Sequence, residues 1–328
     1  MSEETTTEAF NEDLVTIASS ELAAIIIVMV SIFGLLANFL SIHLVLTYPH
    51  LRNSFGALCV SQSVANSGLL IIFAGWCAPM QWMSDDEMST GLWGKIMGQL
   101  NTLFWANSVY SHLVVSLNRL FSITFPTRRL KFAGSKGTYF LVSCSWTIAA
   151  ILNLPYFYRD ECYIVYTPST FTWNYSQSTC GTIIGTYLDF YLGMAVFGII
   201  AIFDVYTIFQ LRNISGAGGR EVLLKRRAME IRFFAQSCTQ LLIFAYIFAS
   251  FYYVSTFMTT KWQLFFTVTF SWQACHSLDG CVLLIFHWRR QPQPSVSRQT
   301  MVRLAHSAIT AQQSTTHSVV PSSWSRTY

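Results

Sequence analysis

Residues 22–46 read LAAIIIVMVSIFGLLANFLSIHLVL, 25 positions without Asp, Glu, Lys or Arg. At about 1.5 Å per residue a helix of that length reaches about 37 Å, enough to cross the roughly 30 Å hydrocarbon layer of a bilayer. A helix that is apolar on every face belongs in a membrane or deep in a large core, not on the surface of a soluble domain. Six further segments follow: 54–84, 96–118, 137–158, about 185–211, 233–260 and 262–288. Trp76, Trp82, Trp93, Trp262 and Trp288 stand at segment ends, where aromatic belts form.

The charges between the segments set the orientation. Of 20 Lys and Arg, 17 follow the first, third, fifth and seventh segments: Arg52; Arg119, Arg128, Arg129, Lys131 and Lys136; those within 212–232; and those within 289–326. Lys95, Arg159 and Lys261 are the remainder. Six acids precede the first segment, and Asp85, Asp86, Glu87, Asp160 and Glu161 share that side. The positive-inside rule therefore places the amino terminus outside and the carboxyl tail in the cytoplasm. Seven spans in that orientation point to a receptor in the plasma membrane.

Only 11% of the 328 residues are charged and 52% are hydrophobic, against about 25% charged in soluble domains. The net charge of +4 flanks membrane segments, which suits anionic lipid and not nucleic acid. Residues 1–21 read as an extracellular terminus, 22–290 as the membrane domain, and 291–328, rich in Ser, Thr and Gln, as a disordered cytoplasmic tail with phosphorylatable hydroxyls such as Ser314 and Ser318. The acidic start lacks the features of a cleavable signal, so the first span is expected to be a signal anchor.

Six of the eight cysteines lie in or at the ends of spans and read as packing residues. Cys162 and Cys180 lie in the second outer loop, where a mutual bridge is favoured and Cys77 is the competing partner. Between them Asn174-Tyr175-Ser176 is a glycosylation acceptor on the outer side, whereas Asn213-Ile214-Ser215 faces the cytoplasm and should stay bare. Buried acids are rarer and more telling. Asp279 interrupts the seventh span, and a carboxylate mid-membrane must face the bundle interior. Asp189, near the outer end of the fifth, reads first as a solvated interfacial carboxylate and second as a ligand contact. Asn101 and Asn107 in the third span read as helix packing or as hydrogen-bonding groups for a neutral ligand. No acid lies between Ile96 and His112, so the third span offers no counter-ion for an amine.

Motifs then carry a resemblance. The run Ser116-Leu117-Asn118-Arg119 with Pro126 beyond it resembles the acid-Arg-Tyr corner of rhodopsin-like receptors, with Asn118 in the acid's place. Asn53-Ser54-Phe55-Gly56 through Gln62 and Ala65-Asn66 resembles the second span of the nematode serpentine receptor class X family. Ser111-His112-Leu113 through Phe125-Pro126 resembles its third, Phe233-Phe234-Ala235-Gln236 its sixth, and Phe270-Ser271-Trp272 through Asp279-Gly280 its seventh. The resemblance covers about residues 25 to 290. It implies an all-α membrane protein, a seven-transmembrane helix bundle of rhodopsin-like architecture. It further implies a chemosensory G-protein-coupled receptor for a small external ligand, acting on a heterotrimeric G protein from sensory cilia, without enzyme activity or cofactor. Asn118 and Arg119 become the coupling residues, and Asn38 and Asn66 become polar partners of Asp279.

The chain also departs from rhodopsin-like patterns. The outer end of the third span has no Cys, no Asn-Pro-x-x-Tyr motif follows Asp279, and the sixth span lacks Pro. A seven-span transporter or ligand-gated channel is the alternative reading, disfavoured by the absence of a repeat and of midplane breaks. An opsin would need a Lys in the seventh span, and none occurs there. His112, His276 and Asp279 are potential metal ligands, but nothing in the sequence brings His112 to the other two.

Overall fold

A computed structural model describes residues 2–124, 135–158, 160–213 and 220–287; for 2–17, 50, 135, 211–213 and 220–230 the description is of the backbone alone. The tail at 291–328, the glycine-rich inner loop and Pro126 lie outside the described residues. Within the described residues seven long helices follow one another. They are α1 (Ser2–Thr47), α2 (Ser54–Ile72), α3 (Leu92–Thr124), α4 (Ser135–Leu152), α5 (Leu192–Asn213), α6 (Arg220–Tyr252) and α7 (Ser271–His287).

Local chemistry fixes the ends. Asn53 caps α2 by accepting Gly56 N at 3.1 Å. Beyond Ile72 the helix widens into a π turn at Phe73–Cys77 and continues as Ala78–Met83. The Ala78 amide bonds Phe73 O, five residues back, next to Pro79, which has no amide to give. Similar π turns, Ile183–Tyr191 and Phe265–Phe270, lead into α5 and α7. The sequence suggested that α1 begins near Leu22; the helix already runs from Ser2, since no Gly or Pro occurs before Gly34 to break it. Conversely α6 stops at Tyr252, short of the expected 260, and a 3-10 turn follows at Val254–Phe257.

By length and apolar content alone four stretches qualify as spans: Ala18–Thr47, Ser54–Met83, Thr179–Gln210 and Ile231–Phe257. The chain is thus a multi-pass membrane protein on composition as well. Helices α3 and α7 do not qualify because they carry the polar residues of the interior. Buried on α3 are Asn101, Asn107, Ser108, His112 and Arg119, and on α7 Gln273, His276 and Asp279. Apolar side chains such as Met29, Phe33, Leu36 and Phe39 of α1 and Ile202 and Phe209 of α5 are exposed instead. A bundle that is polar within and apolar without is what lipid as solvent requires.

Helix α3 packs against α2, α4 and α5; α1 packs against α2 and α7; α6 packs against α7. Two apolar clusters sandwich the polar layer. The outer cluster includes Phe73, Trp105, Phe244, Phe265 and Trp272, and the inner one Leu51, Phe55, Leu58, Val115 and Phe233. Small residues let α1 and α7 touch, as membrane helices do where packing replaces the hydrophobic drive. A Cβ on Gly280 would stand 2.8 Å from Asn38 N. Gly280→Val is therefore expected to lower stability by about 1–3 kcal/mol, the usual cost of overpacking. The check is the unfolding temperature of the solubilised protein, and an unchanged value would mean the helices yield there.

The outer mouth is not helical. Strands β1 (Ile164–Thr167) and β2 (Thr172–Tyr175) pair antiparallel, with Tyr166 opposite Trp173. Phe171 takes a left-handed φ of 62° at the turn, where Asp86 Oδ1 accepts Ser169 N at 2.9 Å. Gly98 allows α3 to approach the Ile164 carbonyl so closely that no side chain fits. The hairpin is thereby pressed into the bundle, with Tyr166 donating to Gln81 Oε1 at 2.7 Å.

Candidate functional site

Three constellations lie along the bundle. The middle one is built on Asp279. Its Oδ2 accepts Gln62 Nε2 at 2.5 Å and Asn66 Nδ2 at 2.6 Å, and its Oδ1 accepts Gln240 Nε2 at 2.7 Å. His112 Nε2 lies 3.7 Å from Oδ1 and 2.7 Å from Gln62 Nε2. Four helices therefore meet on one carboxylate: α2, α3, α6 and α7. Asn38 joins at second hand. It accepts Asn66 Nδ2 at 3.4 Å and donates to Gly34 O at 2.9 Å and His276 O at 3.0 Å. Ser108 Oγ donates to Asn66 Oδ1 at 2.9 Å, and His276 Nδ1 is 2.7 Å from the same oxygen. The sequence named Asn38, Asn66 and Asp279, and the structure brings them together. It adds Gln62, His112 and Gln240, which the sequence offered as polar side chains in apolar runs but did not join to Asp279. His112 does reach Asp279, contrary to expectation, because α3 and α7 face each other across the polar layer. No group of three or more metal-ligating residues forms among the described residues.

The inner constellation surrounds Arg119. It is 3% exposed, and Asn118 beside it is also buried. The guanidinium lies 4.9 Å from the centre of the Phe55 ring. Phe55 packs tilted, at 4.4 Å, on Phe233 of α6, which lies 5.3 Å from the His287 ring of α7. His287 Nε2 and Gln236 Oε1 are 2.9 Å apart. On α5, Asp204 accepts Ser116 Oγ at 2.7 Å. Arg119 is thus buried against Phe55 of α2, which links it to Phe233 of α6.

The outer constellation is built on Asp189, in the π turn before α5. It does not behave as a solvated interfacial carboxylate. It accepts Trp105 Nε1 at 3.0 Å, Tyr175 OH at 2.8 Å and Tyr252 OH at 2.5 Å. Those donors come from α3, β2 and α6, so the acid faces inward and ties the hairpin to the bundle. Two cavities share Trp105, Asp189 and Phe248 as walls, and a larger outer cleft of about 450 Å³ has Tyr175 and Tyr252 as part of its lining. Asn101 and Asn107 do not line any of the three. Both are fully buried and make no hydrogen bond among the described residues.

Cys162 and Cys180 are joined, with Cα atoms 5.1 Å apart, while Cys77 is a free, buried thiol in the π turn of α2. Asn174 is exposed on β2, and its amide is held by Thr167 Oγ1 at 3.0 Å.

The serpentine-type 7TM GPCR chemoreceptor family Srx matches residues 28–287. The chain belongs to that family. Serpentine receptor class X 45 of Caenorhabditis elegans is 25% identical over 284 residues, covering 81% of this chain and 78% of its own. The Allatostatin-A receptor of Bombyx mori is 22% identical over 158 residues, 46% of this chain and 41% of its own. This Srx chain is accordingly a chemosensory G-protein-coupled receptor of seven-helix, rhodopsin-like architecture. Its family is one of receptors, and the transporter or channel reading is not favoured. Ligand and G-protein partners follow for the family in general.

Proposed function

We propose that this receptor lies in the plasma membrane of a sensory cell, in the cilium, with its amino terminus outside. It binds a small external ligand in the cleft under the hairpin and couples to a heterotrimeric G protein through Asn118 and Arg119. The charge asymmetry of the loops supports the orientation, with 17 of 20 basic residues on the inner side. The observation that supports the coupling face is the burial of Arg119 over the Phe55 ring of α2, which itself packs on Phe233 of α6. A ligand with different affinity for two arrangements of α5 and α6 shifts their populations. In the arrangement where α6 swings away, Phe233 leaves the ring stack and the guanidinium reaches the cytoplasmic surface. Asp279, Asn66 and Asn38 join the two ends, because Gln240 of the moving α6 is bonded to that carboxylate.

The test is G-protein dissociation in intact cells, with a panel of Gα subunits and pooled small-molecule extracts. Wild type and Arg119→Glu are matched for surface level. The expected result is a ligand-dependent signal in wild type that is lost in Arg119→Glu. A full signal from Arg119→Glu would remove the inner constellation as the coupling face.

A further inference from the structure

We infer that the ligand this cleft is built for is an organic cation, a protonated or quaternary amine whose positive head seats against Asp189 among the aromatic rings of α3 and α6. The inference rests on the receptor reading above and names its ligand class.

Three observations carry it. First, Asp189 is a carboxylate inside the bundle whose partners are all neutral: one indole and two phenols. No Lys, Arg or His among the described residues pairs with it. The outer-side lysines are engaged elsewhere, Lys95 over the Tyr163 ring at 4.4 Å and Lys261 over Phe171 at 6.0 Å. Neutral donors offset part of the cost of holding a charge out of water, but the complementary group is a cation. Second, the walls around it are aromatic. Trp105, Phe248, Phe251, Tyr252 and Trp272 line the cavity on the α6 side, and rings of this kind attract desolvated ammonium groups. Third, there is a way in. The outer cleft of about 450 Å³ falls within the range of small-molecule sites, about 300–1,000 Å³. It ends on Tyr175 and Tyr252, the two residues whose hydroxyls cap the carboxylate. Asp189 itself walls two small cavities of about 50 and 20 Å³, too small for a whole ligand. The body of the ligand occupies the cleft, and its ammonium replaces one or both hydroxyls on Asp189. The third helix has no acid between Ile96 and His112 to do this, so the π turn leading into α5 supplies the counter-ion.

The experiment uses the full chain in lipid nanodiscs and follows thermal unfolding. The probes are 2-phenylethylammonium, its trimethylammonium analogue and the uncharged 3-phenylpropan-1-ol. Binding to the folded state raises the unfolding temperature in proportion to affinity. The ammonium probes are expected to act at concentrations at least about tenfold below the alcohol, a gap of about 1.4 kcal/mol. Asp189→Asn, which keeps the shape and an acceptor oxygen, is expected to close the gap. Tyr252→Phe, which removes one competing hydroxyl, is expected to keep or widen it. Equal action of the alcohol, no shift by any probe, or an undiminished gap in Asp189→Asn would overturn the inference. If Asp189→Asn does not fold, the wild-type comparison of ammonium with alcohol decides it. Unfolding needs no G protein. An ammonium shift without coupling would therefore remove the receptor reading alone, and coupling to other compounds without the gap would remove the ligand class alone.

Discussion

Asp279→Ala is expected to yield a receptor that reaches the cell surface poorly and unfolds many degrees below wild type. The residue is 3% exposed, and three amide donors from two helices end on its oxygens. Alanine removes the acceptor of Gln240 and the shorter acceptor contacts of Gln62 and Asn66, all buried within the bundle. An orphaned buried polar group costs about 1–3 kcal/mol, and single hydrogen bonds between membrane helices average about 0.6 kcal/mol. Together these bracket a loss of about 2–5 kcal/mol, a large part of the roughly 5–15 kcal/mol that holds a typical protein folded. Asp279→Asn separates architecture from signalling. It keeps an acceptor oxygen in place, so it is expected to unfold near wild type, while the charge that gathers α2, α3, α6 and α7 is gone. A changed basal or ligand-driven G-protein signal in Asp279→Asn would mark the cluster as a moving part. Unfolding of Asp279→Ala within error of wild type would show that the donors find other partners. Normal surface level and unchanged signalling in Asp279→Leu would reduce the cluster to packing.

The seven spans were legible because the bilayer dictates them. Length and the lack of charge both follow from one solvent boundary. Asn38, Asn66 and Asp279 were legible too, since a polar side chain deep in an apolar span must turn inward and meet another. The remaining partners depend on how each helix is rotated, and that is settled by packing. Gln62 stands one turn before Asn66, so both reach Asp279 from the same face of α2, whereas Gln240 faces it only because α6 lies against α7. Asp189 was misjudged as solvated because two of its donors are far away in sequence: Trp105 on α3 and Tyr252 on α6. Its third donor, Tyr175, belongs to a hairpin, and that hairpin was present in the sequence only as a short β-branched and aromatic run, Ile164-Val165-Tyr166-Thr167. Asn101 and Asn107 looked like ligand contacts by type, but helix rotation buries them away from the cleft.

Loss of the Cys162–Cys180 bond is the second large effect expected. The bridge closes a loop of 18 residues containing the whole hairpin, and closures of that size are worth about 3 kcal/mol. In a protein of this size each kcal/mol moves the unfolding midpoint by about 2–4 °C, so Cys162→Ser/Cys180→Ser should unfold about 6–12 °C lower. The hairpin would not simply float free. Tyr166 O still accepts Ser89 Oγ at 2.5 Å, and Phe171 O accepts Thr269 Oγ1 at 2.5 Å, both at the turn side of the sheet. The end that loosens is the one beside the bridge, where Ser176 and Ser178 donate to Glu161 O and where Tyr175 leaves β2 to cap Asp189. Binding in the outer cleft should therefore weaken together with stability. A reductant is expected to bring wild type to the midpoint of the double-serine variant and to leave that variant unmoved, because the other described cysteines are free thiols. A reductant that lowers both equally would place the effect on some other group. A wild type that ignores reductant even when unfolded would mean the two cysteines are not joined.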